Sequence, residues 1–363
     1  MKYTWWKILG IVLLLWTFTA GLLVPLRPGI MEVAPTQLKA GQTVSLSVRG
    51  YNTMWSGKTA GTAWLHIDEV IKVEKEGKVK DSLAVYAIQS KSFKAIDNRH
   101  AEFTFDIPQF LPLNVDYENA SLLVRVEGSD LAIRPMALSV EQDSVNTTIG
   151  KTLWNSTMQT DRTWTFSYPY RNILYETVRN TWFHVPTWFA MFTLFGIAVF
   201  NSIQYLRKKQ LSYDIAAASY TQVGVLFGLL GLFTGGLWAN YTWGEPFPRD
   251  IKIIMTYTCL AIYFAYFILR AGFESEETKA RVSAVYSVFA FVSLVPLLYI
   301  VPKLAPDSLH PGNGGNPAFG SQDMDNTMRM VFYPSVLGWI LVAIWIASLV
   351  RRYNVLKEKK MLA

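Results

Sequence analysis

The residues in this chain with the clearest capacity for chemistry are its four histidines, His66, His100, His184 and His310. Neutral imidazole is a common metal ligand, and a haem iron takes two axial ligands, one on each side of its plane. His184 and His310 lie near the ends of long apolar stretches, so they fit such a pair if both face one side of a membrane. The alternative interpretation is two unrelated interfacial histidines. His66 and His100 lie in a strand-like region, where we expect surface positions without a catalytic partner.

A short aromatic segment separates these two histidines in the sequence. It contains Trp238, Tyr241, Trp243 and Phe247, and Arg249 follows closely. Aromatic faces hold a flat apolar macrocycle by stacking, and a guanidinium group pairs with a carboxylate such as a haem propionate. The alternative is that these aromatic side chains only anchor the protein at the membrane interface.

The composition excludes an ordinary soluble protein. Hydrophobic residues make up 51% of the 363 residues and charged residues only 17%, so part of the chain must contact membrane lipid. The net charge of +7 does not indicate a nucleic-acid partner, because the basic residues cluster at the ends of apolar stretches. The single cysteine, Cys259, excludes an internal disulfide, a cysteine-ligated zinc site, an iron–sulfur cluster and a CxxCH haem attachment site.

Six apolar stretches are long enough to cross a bilayer, at about 6–25, 186–205, 220–240, 252–270, 282–301 and 332–350. The first is a signal peptide or an uncleaved anchor, and its length without an evident cleavage site favours the anchor. Lysine and arginine collect at both termini and after the second, fourth and sixth stretches. The positive-inside rule therefore places both termini in the cytoplasm and the segments 27–185, 241–251 and 302–331 on the outer side.

The first outer segment is predicted to be a separate β domain. Apolar and polar residues alternate in Thr43–Arg49, Ser82–Ile88, Ala101–Ile107 and Ser121–Glu127, which is typical of antiparallel strands with one solvated face. Asp143–Asp161 looks like a linker. The predicted fold class is an all-α polytopic membrane protein with six transmembrane helices and an inserted all-β domain, sandwich- or barrel-like. The predicted divisions are an anchor (1–26), the β domain (27–165) and a five-helix membrane region (166–363).

Three motifs in the second half of the chain resemble one family. They are Arg179-Asn-Thr-Trp-Phe-His184-Val-Pro186, then Thr234-Gly-Gly-Leu-Trp238 continuing through Trp243-Gly244 to Asp250, then Leu309-His310-Pro-Gly312. Together they resemble the CcmC/CcsA-type haem-handling membrane proteins of cytochrome c biogenesis, which carry a Trp-rich WWD loop. The similarity is closest to the CcmC branch, because the CcsA type uses a larger set of histidines.

This resemblance implies that haem b is bound transiently at the periplasmic face of a bacterial inner membrane. His184 and His310 would be the iron ligands, and Trp238, Trp243, Phe247, Arg249 and Asp250 would contact the cofactor. The haem would pass to a periplasmic haem chaperone and other cytochrome c maturation proteins. The family loop reads roughly Trp-Gly-x-Trp-Trp-x-Trp-Asp, whereas Pro246, Phe247 and Arg249 replace tryptophans here.

Two other functions remain open from the sequence. One is a membrane-anchored scaffold that acts through its periplasmic β domain without binding haem. The other, a transporter, is disfavoured because the predicted spans contain almost no ionisable residues. No nucleophile–base pair or phosphate loop is evident, so we expect a delivery factor and not an enzyme, although a part in a cytochrome c haem-lyase complex fits the resemblance.

Overall fold

A computed structural model describes residues 4–75, 78–161, 166–172, 174–305, 308, 310 and 324–362. These residues form two compact units. One combines the first helix with the chain from Glu176 onward, and the other comprises Pro25–Tyr175.

The Pro25–Tyr175 unit contains nine strands in two sheets. Their bounds are β1 Gly29–Ala34, β2 Gln37–Lys39, β3 Thr43–Tyr51, β4 Gly61–Lys75, β5 Lys78–Gln89, β6 Ser92–Ala95, β7 His100–Asp106, β8 Tyr117–Val126 and β9 Ala132–Glu141. One sheet has the order β1-β3-β7-β6 and the other β2-β9-β8-β4-β5. All neighbouring strands are antiparallel except β2 and β9, which are parallel.

The two sheets share one hydrophobic core, which makes the unit a β-sandwich. Side chains of β7 alternate between partly exposed and buried, and Phe103 and Phe105 are fully buried with Leu46 of β3. From the second sheet, Leu65 and Leu122 join the same cluster. Alternation of this kind follows from the two-residue period of a strand, which sends successive side chains to opposite faces.

The prediction that Asp143–Asp161 is a linker is wrong. The helix α2 (Thr147–Leu153) begins there, with the Asn146 side chain accepting a hydrogen bond from the Ile149 amide. Trp154 follows, is fully buried in the sandwich core, and donates from Nε1 to the Phe110 carbonyl oxygen at 3.2 Å. A buried indole with a satisfied N–H stabilises the domain, and the abundance of asparagine and serine around it concealed this role.

The other unit is helical. Its helices are α1 (Trp5–Leu23), α3 (Thr181–Lys208), α4 (Leu211–Trp243), α5 (Ile251–Ala271), α6 (Glu276–Val295), α7 (Val301–Leu304) and α8 (Asn326–Leu362). A 3₁₀-helix (Tyr175–Asn180) leads into α3, and a π-helical turn (Pro296–Ile300) joins α6 to α7. Among the described residues, six helical segments are long and apolar enough to cross a membrane, which confirms the predicted number of spans. Residues 306, 307, 309 and 311–323, within the third predicted outer segment, lie outside the described residues.

The all-α label for the chain as a whole is wrong. Helices account for 54% of the residues and strands for 22%, in two sheets, so the chain combines an α and a β unit. The insertion of the β domain after the first helix is as predicted. The label failed because the β unit is too large a part of the chain to count as an appendage of a helical protein.

Two prolines interrupt the hydrogen bonding of the helical unit, and each gap is closed by a neighbouring helix. Pro186 in α3 has no N–H for the Trp182 carbonyl, and this oxygen accepts from the buried Ser335 hydroxyl of α8 at 2.6 Å. Pro334 in α8 likewise leaves the Met330 carbonyl without its helical donor. This oxygen accepts from Nε1 of Trp16 in α1 at 3.1 Å. Unpaired backbone groups are costly in lipid, so these contacts let both helices keep their prolines.

A buried ion pair connects the start of α4 to the end of α5. Asp214 in the first turn of α4 accepts a bidentate pair of hydrogen bonds from Arg270 in the last turn of α5, at 2.6 and 2.5 Å. Helix α4 begins nine residues before the predicted span at 220, which brings Asp214 into the helix. Because the charge is paired within the bundle, it gives no support to a conduction path.

Candidate functional site

His184 lies near the start of α3 and packs against the last part of α4. Its Nδ1 is 3.1 Å from Oγ1 of Thr234, and its Nε2 is 3.3 Å from Nε1 of Trp188, one turn further along α3. Asn180 adds a second link, because its Nδ2 donates to the Thr234 carbonyl oxygen at 3.0 Å. The beginning of α3 is therefore fixed against α4 at this position.

These partners determine which ring nitrogen of His184 carries the proton. An indole N–H is only a donor, so Nε2 must accept from Trp188. The Thr234 hydroxyl donates to the Leu230 carbonyl oxygen at 2.8 Å, so its oxygen accepts from His184. The imidazole is therefore neutral, with its proton on Nδ1 and its lone pair on Nε2.

Two glycines of α4 make room for the site. A Cβ on Gly235 would lie 2.7 Å from Cε1 of His184, and a Cβ on Gly236 would lie 2.7 Å from Cε1 of Phe247. Both distances are shorter than packed carbon atoms allow. The glycines therefore let the imidazole and the phenyl ring lie directly on the helix backbone, next to Thr234.

Aromatic ring contacts connect the two predicted ligand histidines. The centroid distances are 6.3 Å from His184 to Trp238, 6.0 Å from Trp238 to Trp243 and 5.0 Å from Trp243 to His310. Helix α4 ends immediately after Trp243, at Gly244 in the left-handed conformation with φ of 86°. The structure thus brings together two histidines and two tryptophans that the sequence analysis proposed as site residues.

Asp250 holds the second histidine and starts α5. Its Oδ1 is 3.0 Å from Nδ1 of His310, and its Oδ2 accepts from the Ser308 hydroxyl at 2.9 Å. Oδ1 also accepts from the Lys252 amide at 2.8 Å, which caps α5. The Asp250 side chain is only 1% exposed, so it is shielded from solvent.

The environment of His310 favours a neutral imidazole. Burial lowers the pKa of His310, nearby Asp250 opposes this effect, and Lys252 adds to the lowering. With the Nδ1 proton donated to Asp250, the Nε2 lone pair is available. Among the described residues, His310 makes no hydrogen bond through Nε2.

The remaining predicted site residues lie at the same end of the helical unit. Phe247 is 52% exposed, and Arg249 is exposed without a polar partner among the described residues. In the last turns of α4, Nε1 of Trp238 and Oγ1 of Thr242 are buried without a hydrogen-bond partner in the described part of the chain. Buried polar atoms without a partner are uncommon in folded proteins.

Each histidine of the β-sandwich has a ring nitrogen beside an aspartate carboxylate. Nδ1 of His66 is 3.2 Å from Asp68, and Nδ1 of His100 is 2.8 Å from Asp97. Within the ranges that the structure describes, no group of three or more histidine, cysteine, aspartate or glutamate side chains is placed to hold a metal ion.

The sequence analysis gave no role to several residues of this site. Trp188 follows His184 by four positions, and this helical spacing places both on one face, so the sequence carried a signal for it. Thr234 was part of a quoted motif and Ser308 lies two residues before His310, but only the structure shows that they hydrogen-bond to His184 and Asp250.

A sequence model described as "CcmC: Heme exporter protein C" matches residues 148–362, which is more than half of the chain. The chain belongs to the CcmC family. The match begins within α2, so the strands of the β-sandwich precede it. Membership of this family confirms the resemblance drawn from the three motifs, and the six apolar helices of the described residues agree with a multi-pass membrane protein.

Curated CcmC relatives are similar to this chain at low identity. A Heme exporter protein C from Bradyrhizobium diazoefficiens is 27% identical over 119 residues, which are 32% of this chain and 45% of that protein. The protein of the same name from Escherichia coli is 22% identical over 189 residues, 51% of this chain and 74% of the relative. The one from Paracoccus denitrificans is 23% identical over 166 residues, 46% of this chain and 68% of the relative. The chain thus spans about half the length of the Bradyrhizobium CcmC that it matches.

Proposed function

We propose that this protein binds haem as a cargo at the end of the bundle described above and delivers it for cytochrome c maturation. The observation that carries the proposal is the series of ring contacts from His184 through Trp238 and Trp243 to His310. Both imidazoles are neutral by their hydrogen bonds, as axial ligands of a haem iron must be. The names of the relatives, heme exporter protein C, agree with this class of cargo.

Each residue of the site then has a distinct part. His184 and His310 bind the iron, while Trp238, Trp243 and Phe247 stack on the macrocycle of haem b. Arg249, exposed beside them, pairs with a propionate. Asp250 lies behind His310 and supports it through Nδ1. The role is binding and transfer, without a chemical reaction of the protein's own.

The proposed topology places this site at the periplasmic face of a bacterial inner membrane. Basic residues at both termini indicate that both lie in the cytoplasm, which puts residues 27–185 and the α4–α5 loop on the opposite side. A periplasmic haem chaperone then receives the haem and passes it toward apocytochrome c. The β-sandwich lies in the same compartment as these partners.

A complementation experiment tests the function. In a bacterial strain without its own CcmC, expression of the full chain is expected to restore c-type cytochromes, detected by haem staining of membranes. The His184→Ala, His310→Ala protein is expected to restore less than about a tenth of that level, because loss of metal ligation outweighs the remaining stacking contacts. His66→Ala, His100→Ala serves as the matched control and is expected to behave like the unaltered chain.

The same experiment separates haem delivery from the scaffold function. A scaffold that acts through the β-sandwich does not need His184 or His310, so it predicts full maturation with both replaced. Equal cytochrome levels in the two double variants would therefore overturn the proposed function and favour the scaffold. Immunoblots of the membranes check that all variants accumulate equally.

A further inference from the structure

We infer that the two histidines are unequal ligands: His310 retains the iron, and His184 is the ligand exchanged when haem leaves. Asp250 is the positioning residue that creates this difference. The inference rests on the proposed function, since it assumes that both imidazoles bind haem. It is carried by the different hydrogen-bond partners of the two rings.

On the His310 side, the partner is a buried carboxylate. The described donors to the two oxygens of Asp250 include Nδ1–H of His310, the Ser308 hydroxyl and the Lys252 amide. An ionised carboxylate accepts all three and needs no proton of its own. It orients the ring, fixes the proton on Nδ1 and makes Nε2 more basic, as carboxylates behind metal-bound histidines do.

On the His184 side, both partners are neutral and one competes with the metal. Nδ1 donates to the Thr234 hydroxyl oxygen, which bears no charge, so Nε2 gains less basicity than in His310. Nε2 itself accepts from the Trp188 indole at 3.3 Å. The lone pair that would bind iron is therefore already engaged, and iron binding must break this hydrogen bond.

This difference gives an order to haem transfer. The nitrogen of an incoming ligand from the acceptor forms a bond to iron while the bond from iron to Nε2 of His184 breaks. The coordination number and oxidation state of the iron do not change, and no proton moves. Nε2 of His184 then accepts again from Trp188, while His310 stays bound until the acceptor holds the haem.

Hemin-loaded full-length protein in detergent tests the role of Asp250. Asp250→Asn keeps an oxygen to cap α5 and to accept from His310, but removes the negative charge. We expect hemin to bind about 10- to 100-fold more weakly and the midpoint potential of the bound haem to rise. Asp325→Asn is the matched control, because Asp325 caps the first turn of α8 by accepting from the Met328 amide. An affinity and potential equal to those of the control would overturn the role of Asp250.

Trp188→Phe removes the hydrogen bond that competes with iron for Nε2 of His184. Its expected effect on hemin affinity is opposite to that of Asp250→Asn. Removing the indole N–H while keeping an aromatic ring against Gly231 is expected to tighten hemin binding about two- to tenfold, the usual value of one hydrogen bond. Unchanged or weaker hemin binding would show that the Trp188 indole does not compete with iron for Nε2 of His184. This variant also keeps the inference testable if Asp250→Asn fails to fold.

Single glycine variants identify the ligand that is exchanged, with free imidazole as the probe. His184→Gly is expected to retain hemin through His310 and to regain a six-coordinate low-spin spectrum when imidazole is added. His310→Gly is expected to lose hemin during gel filtration, with or without imidazole. Equal retention, or the reverse order, would overturn the inference. Failure of the unaltered protein to bind hemin would instead reject the proposed function.

Discussion

Replacing both site histidines, as His184→Ala, His310→Ala, is expected to weaken hemin binding by at least about a hundredfold, since the loss of even one supporting partner of a ligand costs 10- to 100-fold. The reason is that both bonds from protein to iron disappear. Stacking on Trp238 and Trp243 would remain, and this contact alone holds an apolar macrocycle without fixing the iron. The measurement is a titration of the detergent-purified protein with hemin, followed by the Soret band.

The control for this titration is His66→Ala, His100→Ala. Both of these histidines contact aspartates within the β-sandwich, so their removal should leave hemin affinity unchanged. If the control loses affinity as strongly as the site variant, or if neither does, then the iron is not held by His184 and His310.

Gly235→Ala is expected to weaken hemin binding through a single added methyl group. Its Cβ would lie 2.7 Å from Cε1 and 3.3 Å from Nδ1 of His184, so the imidazole must move away from α4 and lose its bond to Thr234. We expect hemin affinity to fall by about tenfold or more, as for other losses of a ligand's supporting partner. The same hemin titration measures it.

Folding should survive this substitution, because alanine favours a helix over glycine by about 0.5–1 kcal/mol. Gly196→Ala in α3 is the matched control, since its added methyl group would meet only Phe291, at 3.8 Å and beyond. Thermal unfolding in detergent, followed by circular dichroism, should show no loss of stability for either variant. If Gly235→Ala and Gly196→Ala bind hemin equally well, hemin binding does not depend on the position of the His184 imidazole against α4.

The membrane spans were predictable because long apolar stretches have few structural alternatives in lipid. Every predicted stretch became a helix, and the differences concern helix ends. Helix α4 extends back to Leu211 because Asp214 is neutralised by Arg270, a contact between residues 56 apart in the sequence. Hydropathy alone identifies neither Arg270 as the partner of Asp214 nor the extension of α4 back to Leu211.

The β-sandwich was predictable where one face of a strand is solvated. Strand β4 does not alternate between apolar and polar residues, because Ala63, Trp64 and Leu65 are all buried in succession. Strand β9 contains Pro135, which normally argues against a central strand. The structure accommodates it at a bulge, where Met136 has a positive φ of 46° and its amide bonds to the Ser121 hydroxyl.

At the site, residue types and their order along the chain predicted which side chains come together. His184, His310 and the two tryptophans between them meet at one end of the bundle through ring contacts. The different hydrogen-bond partners of the two histidines were not predictable, because they depend on which oxygen lies behind each ring. Asp250 lies 60 residues before His310, and Thr234 lies 50 residues after His184, so only the folded chain pairs them.

The most direct test of the central claim is the electron paramagnetic resonance spectrum of the unaltered protein loaded with ferric hemin. If one iron is held by His184 and His310, the spectrum will show a single low-spin centre with two nitrogen axial ligands. A parallel sample of His184→Ala, His310→Ala will lack this signal. A high-spin signal in the unaltered protein, or a low-spin signal that persists without the two histidines, would contradict the account.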